Sequence, residues 1–210
     1  MSAPEFLFDG AAGAATVVLA HGAGGPMDSP FLNAFAAGLS ARGLRVARFE
    51  FSYMRARRET GRAGAPDREP ALREAWRAAV ERLGGGPRLV IGGKSMGGRI
   101  ASLVADEVGA RGLLCLGYPF HPPGQPERLR TGHLASLRTP ALVLQGTRDP
   151  FGTPEDVAGY ALSPAIRVSW IEDGDHSWKP RARLGRTLPQ NLEEGIVRAA
   201  EFVEGLPSGG

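Results

Sequence analysis

Between residues 88 and 105 an apolar, β-branched run passes into a helix-forming run through five residues, Gly93-Lys94-Ser95-Met96-Gly97. The first run, Arg88-Leu89-Val90-Ile91-Gly92, reads as a strand buried on both faces, as in a parallel sheet. The second, Gly98-Arg99-Ile100-Ala101-Ser102-Leu103-Val104-Ala105, reads as a helix. A strand that becomes a helix over so few residues must turn sharply, and small flanking residues keep neighbouring backbone from clashing with the turn. The central residue is then held in a strained conformation, with its side chain out at the carboxyl edge of the sheet. Ser95 occupies that position, above a helix amino end whose N–H groups favour negative charge.

The rest of the chain repeats this alternation. Strands are predicted at Thr16–Ala20, Arg45–Phe49, Leu89–Ile91, Leu113–Gly117, Ala141–Gln145 and Arg167–Ile171. Helices are predicted near Phe31–Ala41, Pro70–Leu83, Gly98–Glu107, Glu155–Tyr160 and Gln190–Val203. Apolar strands separated by helices specify an α/β fold: a doubly wound, mostly parallel sheet of about six to seven strands with helices on both faces. No repeat or linker interrupts the pattern, so one domain is expected over residues 1–210. In such a sheet ligands bind beyond the carboxyl ends of the strands, which directs attention to the loops there.

Composition narrows the function classes. The formal net charge is only +3, and all but two of the 25 basic residues are arginine, the lysines being Lys94 and Lys179. That balance gives no basic footprint for nucleic acid or a membrane surface. The single cysteine, Cys115, lies in an apolar run, permits no internal disulfide and reads as an inert buried thiol. The amino-terminal residues lack a positive n-region and an h-region, and no stretch has the apolar length of a membrane span. A cytoplasmic protein is expected.

A serine hydroxyl becomes a useful nucleophile when a base takes its proton, and histidine has the right pKa for that task. The histidine needs a carboxylate to hold its tautomer. In a sheet of this type the chain order is serine, then an acid, then histidine. Ser95, Asp149 and His176 stand in that order, each just after a predicted strand. The backbone N–H of Met96, after the nucleophile, and that of Ala23, in the loop His21-Gly22-Ala23, are the candidate oxyanion donors. A phosphate-binding loop would need glycine where Arg88 stands, so that reading fails.

These residues carry a resemblance. The chain is similar to the α/β-hydrolase superfamily, in a small form without a large lid domain. It resembles the dienelactone-hydrolase-like and testis-expressed hydrolase-like groups. The matching pieces are His21-Gly22-Ala23-Gly24-Gly25, Gly93-Lys94-Ser95-Met96-Gly97, Tyr118-Pro119 with His121-Pro122-Pro123, Gly146-Thr147-Arg148-Asp149, and Gly174-Asp175-His176. The resemblance implies a serine hydrolase acting on an ester or thioester of a small molecule through an acyl-enzyme on Ser95. Dienelactone hydrolases use cysteine as the nucleophile, where this chain has serine. The alternatives are a non-catalytic interaction module of the same fold and an acyltransferase.

Six further residues are candidate substrate contacts. Tyr53, Met54 and Trp178, at or beside strand ends, are expected in the pocket walls. Lys94 either attracts an anionic group or packs its stem on the sheet with its head in water. His121 reaches the pocket if its proline-rich loop folds inward, and His21 contacts substrate or braces the oxyanion loop. Trp76 and Trp170 are expected in the core. The arginines between Arg55 and Arg68 are expected in a solvated, mobile loop, with a cap over the site as the alternative. No His, Cys, Asp and Glu grouping has metal-ligand spacing, so neither metal nor cofactor is expected.

Overall fold

The computed structural model describes residues 4–62 and 64–207. Seven strands form one sheet: β1 (Phe6–Asp9), β2 (Thr16–Ala20), β3 (Arg45–Phe49), β4 (Leu89–Lys94), β5 (Gly112–Leu116), β6 (Ala141–Gly146) and β7 (Ile166–Ile171). Their spatial order is β1-β3-β2-β4-β5-β6-β7. All neighbours pair in parallel except β1, which runs antiparallel to β3 at one edge. After β2 the chain moves outward to β3 and then crosses back to β4. The boundary between β2 and β4 is therefore the switch point of the sheet, where the loops after the two strands diverge and leave a crevice.

Side chains alternate across each strand and feed two cores. From β2, Val18 and Ala20 face one layer, Val17 and Leu19 the other. The first layer is closed by α3 (Glu69–Arg82) and α4 (Met96–Val104), through Trp76, Ala79, Ile100 and Ala101. The second is closed by α1 (Pro30–Ser40) and α6 (Leu188–Gly205), through Phe35, Leu39, Ile196 and Ala199. Helix α1 starts where Ser29 accepts from the Leu32 N–H, with proline in its first turn. Helix α6 starts with a reciprocal Thr187–Gln190 capping box. The helices α2 (Ser52–Thr60) and the short α5 (Pro154–Ala158) add Tyr53, Met54 and Val157 to the first layer.

The predicted strands and helices agree with those observed to within a few residues. Two elements escaped sequence reading. Strand β1 has only four residues and exposes Leu7 and Phe8, so it offers too little alternation to recognise. Helix α2 replaces the first half of the expected arginine-rich loop. Arg58 on this helix stays exposed but pairs with Asp28 and with the buried Glu50, which ties it down. Residue 63 of that stretch lies outside the described residues. Trp76 is wholly buried and Trp170 half-buried against the same core. Among the described residues no helix is long and apolar enough to cross a membrane.

Trp76 packs edge-on against Phe49 at 4.8 Å and donates its indole N–H to the Gly97 carbonyl at 3.3 Å. Trp76→Ala should therefore lower the unfolding free energy by about 3–5 kcal/mol, seen as a shifted denaturation midpoint.

Candidate active site

Ser95 sits between β4 and α4 with φ 50° and ψ −113°, a conformation an L-residue adopts only when its surroundings enforce it. Its N–H donates to the Leu116 carbonyl on β5, and its own carbonyl accepts from the Arg99 N–H in α4, both at 3.0 Å. The turn also needs Gly97. A Cβ there would lie 2.5 Å from the Ala20 oxygen and 2.7 Å from that of His21. Any side chain would thus lift α4 off β2. Met96 is the first residue of α4, so its N–H has no acceptor within the helix.

Asp149 follows β6 and is wholly buried. One carboxylate oxygen accepts the Phe151 N–H at 3.0 Å; the other lies 2.7 Å from His176 Nδ1. The hydrogen-bond partner assigns the tautomer: Nδ1 carries the proton and Nε2 is left as an acceptor. The Phe151 ring lies 4.3 Å from the imidazole, centroid to centroid, and limits its rotation. His176 and Ser95 line one open cavity of about 420 Å3, together with Gly22, Ala23, Phe31, Lys94 and Phe151.

The loop after β2 is held from behind. His21 is wholly buried; its Nδ1 lies 2.7 Å from the Gly22 carbonyl, and its Nε2 accepts the Phe51 N–H at 3.1 Å. These partners require a neutral imidazole protonated on Nδ1. Burial favours the same state and holds the His21 pKa below its ordinary value. The Tyr53 hydroxyl donates to the Ala23 carbonyl at 3.0 Å and approaches that of Gly22 at 3.4 Å. Burial first, then the charge of Asp67, pushes the Tyr53 pKa up to about 12, so it remains a donor. With the Gly22 carbonyl drawn toward His21 and Tyr53, the trans peptide turns the Ala23 N–H the opposite way. Ser95 lies on the near side of Gly22: a Cβ built there would be 3.7 Å from Ser95 Cβ.

Several expected contacts stand elsewhere. Trp178 is not a cavity wall. Its backbone takes a left-handed φ of 65°, which turns the indole inward against Phe31 and Phe35 in the second core. Tyr53 and Met54 are buried in α2, and Tyr53 acts on the loop rather than on the cavity. Met54 borders a separate surface hollow with Arg57 and Gly61. His121 is buried beneath its loop, with Nδ1 2.8 Å from the Pro122 carbonyl and Nε2 3.5 Å from Asp156. Two cavity residues, Phe151 and Phe31, escaped sequence reading. Phe151 had a signal, since it follows Asp149 by two positions; Phe31 had none.

Lys94 lines the cavity, and its head is not in water. Its ammonium donates to the His176 carbonyl at 2.5 Å and lies 5.5 Å from the Phe31 ring centroid. Burial lowers its pKa to about 8, against the opposing pull of Asp149 and Asp175. Cys115 is buried, and burial pushes its thiol pKa far up, so it stays protonated and unreactive. Among the described residues no cluster of three or more His, Cys, Asp or Glu side chains is placed to hold a metal.

A sequence profile of the family described as "Alpha/beta hydrolase domain" matches residues 13–204. The fold is similar to that of an α/β serine hydrolase homologue from Coxiella burnetii: 21% identity, 93% of this chain and 91% of that chain covered, TM-score 0.69. It is also similar to a lidless α/β serine hydrolase from Xanthomonas campestris, with 20% identity, 93% and 89% covered, and TM-score 0.64. A dienelactone hydrolase from Anabaena variabilis aligns with 21% identity, 97% and 92% covered, and TM-score 0.71.

The Lys94 shift has a pH signature. Above pH 8 the folded protein begins to release a proton that the unfolded chain holds until its ordinary pKa of 10.5. Between those values the unfolded state binds more protons, so this group makes stability rise with pH. The stability difference between wild type and Lys94→Met should therefore grow in favour of wild type from pH 8 to pH 10. Denaturant titrations across that range measure it.

Proposed function

The chain belongs to the alpha/beta hydrolase family, and on that premise we propose that it is a serine hydrolase cleaving an ester or thioester of a small molecule. The carrying observation is the 2.7 Å contact between buried Asp149 and His176 Nδ1, with His176 and Ser95 sharing a cavity. With Nδ1 committed to Asp149, Nε2 is the ring nitrogen available to take the Ser95 proton. An accessible cavity beside Ser95 also favours catalysis over a non-catalytic module of the same fold.

The reaction proceeds in two balanced halves. Ser95 Oγ attacks the acyl carbon as its proton passes to His176 Nε2. The carbonyl oxygen gains the negative charge and is held by the N–H groups of Met96 and Ala23. The tetrahedral intermediate collapses, the bond to the leaving oxygen or sulfur breaks, and that atom takes the proton from His176. The acyl group is now on Ser95. Water then attacks the acyl carbon and gives a proton to Nε2; the Ser95 oxygen departs and recovers that proton. Ester and water have become acid and alcohol, and the enzyme is regenerated. Asp149 stabilises the imidazolium in both halves without taking its proton.

His21 and Tyr53 contribute by positioning. Their contacts keep the Gly22 and Ala23 carbonyls turned back, so the Ala23 N–H is oriented before substrate arrives. Preorganised donors need no reorientation as charge develops.

A fluorophosphonate probe should label Ser95, and Ser95→Ala should be neither labelled nor active on activated esters. Labelling at another residue in wild type, or none, would overturn the proposal. Asp149→Asn should keep its fold by circular dichroism yet lose about ten-thousandfold in kcat, because the imidazole no longer holds the required tautomer. Tyr53→Phe should lower kcat by about tenfold with little change in KM, a fraction of what loss of one oxyanion donor costs.

A further inference from the structure

Ser95 borders a second cavity of about 370 Å3 on the side away from His176. Ala23, Ser95 and Phe151 line both, so the two cavities meet at the nucleophile. The second is walled by Leu72 and Met96 and carries two guanidinium-bearing residues, Arg99 and Arg130. The general acid must reach the leaving atom, and His176 lines only the first cavity. The leaving group therefore belongs in the first cavity, and the acyl chain extends into the second.

The charges of the second cavity are unevenly matched. Glu69 is committed to Arg99, with its carboxylate 2.7 Å from the guanidinium. Asp67 accepts from the Ser52 hydroxyl at 2.6 Å and the Tyr53 N–H at 3.1 Å, which commits it to the start of α2. Among the described residues the Arg130 guanidinium has no hydrogen-bond or ion-pair partner; only its backbone is bonded, to Phe120 and to the Tyr118 hydroxyl. The Arg99 Nε–H is buried and also lacks an acceptor. Burial lowers the Arg130 pKa, and the charges of Arg99 and Arg128 lower it further, against an opposing pull from Tyr118. Both carboxylates of the cavity are thus held by other groups, and the half-buried Arg130 guanidinium is left without an anion of its own.

We propose that this cavity binds a carboxylate at the far end of the acyl chain, so that the preferred substrates are half-esters of dicarboxylic acids. Arg130 supplies the charged contact, the Arg99 Nε–H a second donor, and Leu72 and Met96 the apolar wall for the methylenes between. A guanidinium suits this task because its planar array of donors matches a carboxylate. The inference rests on the serine-hydrolase reading of Ser95 and adds the substrate class.

The test compares monoethyl half-esters of succinate, glutarate and adipate with ethyl esters in which an isopropyl group replaces the free carboxylate, by pH-stat. At least one half-ester should exceed its neutral counterpart in kcat/KM by about tenfold or more, the ratio expected of one charge-assisted contact. In Arg130→Gln the ratio between the pair should fall toward one, and Arg130→Lys, which keeps the charge, should retain part of it. Neutral esters equal to or better than every half-ester would overturn the inference, as would a preference that survives Arg130→Gln. Fluorophosphonate labelling separates the two readings. Labelled Ser95 without the acid preference removes the carboxylate site alone; unlabelled Ser95 with no ester turned over removes the hydrolase and this inference with it.

Discussion

The close approach of three backbones around Ser95 governs the rest of the structure. β4 runs between β2 and β5, and the chain must leave it, turn and start α4 within one residue. The strained φ of Ser95 costs on the order of 1–3 kcal/mol, and it persists because both sides of the peptide are held. β5 accepts its N–H, and α4 donates to its carbonyl. Gly97 lets α4 lie against the last carbonyls of β2. The same contact brings the loop after β2 alongside Ser95. One packing constraint thus sets the serine, the start of α4 and the loop after β2 in a common frame.

Around that frame the buried polar groups are used with little redundancy. His21, Tyr53 and Asp149 are buried, and each is satisfied by backbone or by one another's neighbourhood. A buried imidazole with one carbonyl and one N–H as partners has a single acceptable protonation state. That makes His21 a fixed brace, unlike His176, which lines the cavity and has Nδ1 held by Asp149. Two histidines of the same chain are separated in role by their partners. Lys94 extends this logic: its ammonium holds the backbone carbonyl of His176, which lines the same cavity as Ser95.

Much of this was legible from residue order. The elbow, the apolar strands and the succession Ser95, Asp149, His176 are local features, and each strand end is marked by the loop residues that follow it. β1 was not legible because four half-exposed residues carry no period, and its place depends on pairing with β3. α2 was hidden because its burial falls on Tyr53 and Met54 alone, while Arg58 depends on Asp28 and Glu50, distant in sequence. Trp178 misled for a related reason. Its position after a strand suggested a wall, but one left-handed residue reversed the direction of its ring.

Sequence order alone specified an α/β sheet and which hydroxyl, carboxylate and imidazole could meet at its carboxyl edge, because strand periodicity and turn chemistry act over a few residues. It was silent on Phe151 against His176, on Tyr53 behind Ala23, and on Arg130 and Arg99 sharing a cavity with Ser95. Those relations join residues tens of positions apart, and each depends on how far a helix sits from a strand and which way one side chain turns. Only the packed molecule, with the crevice between β2 and β4 formed, sets those distances.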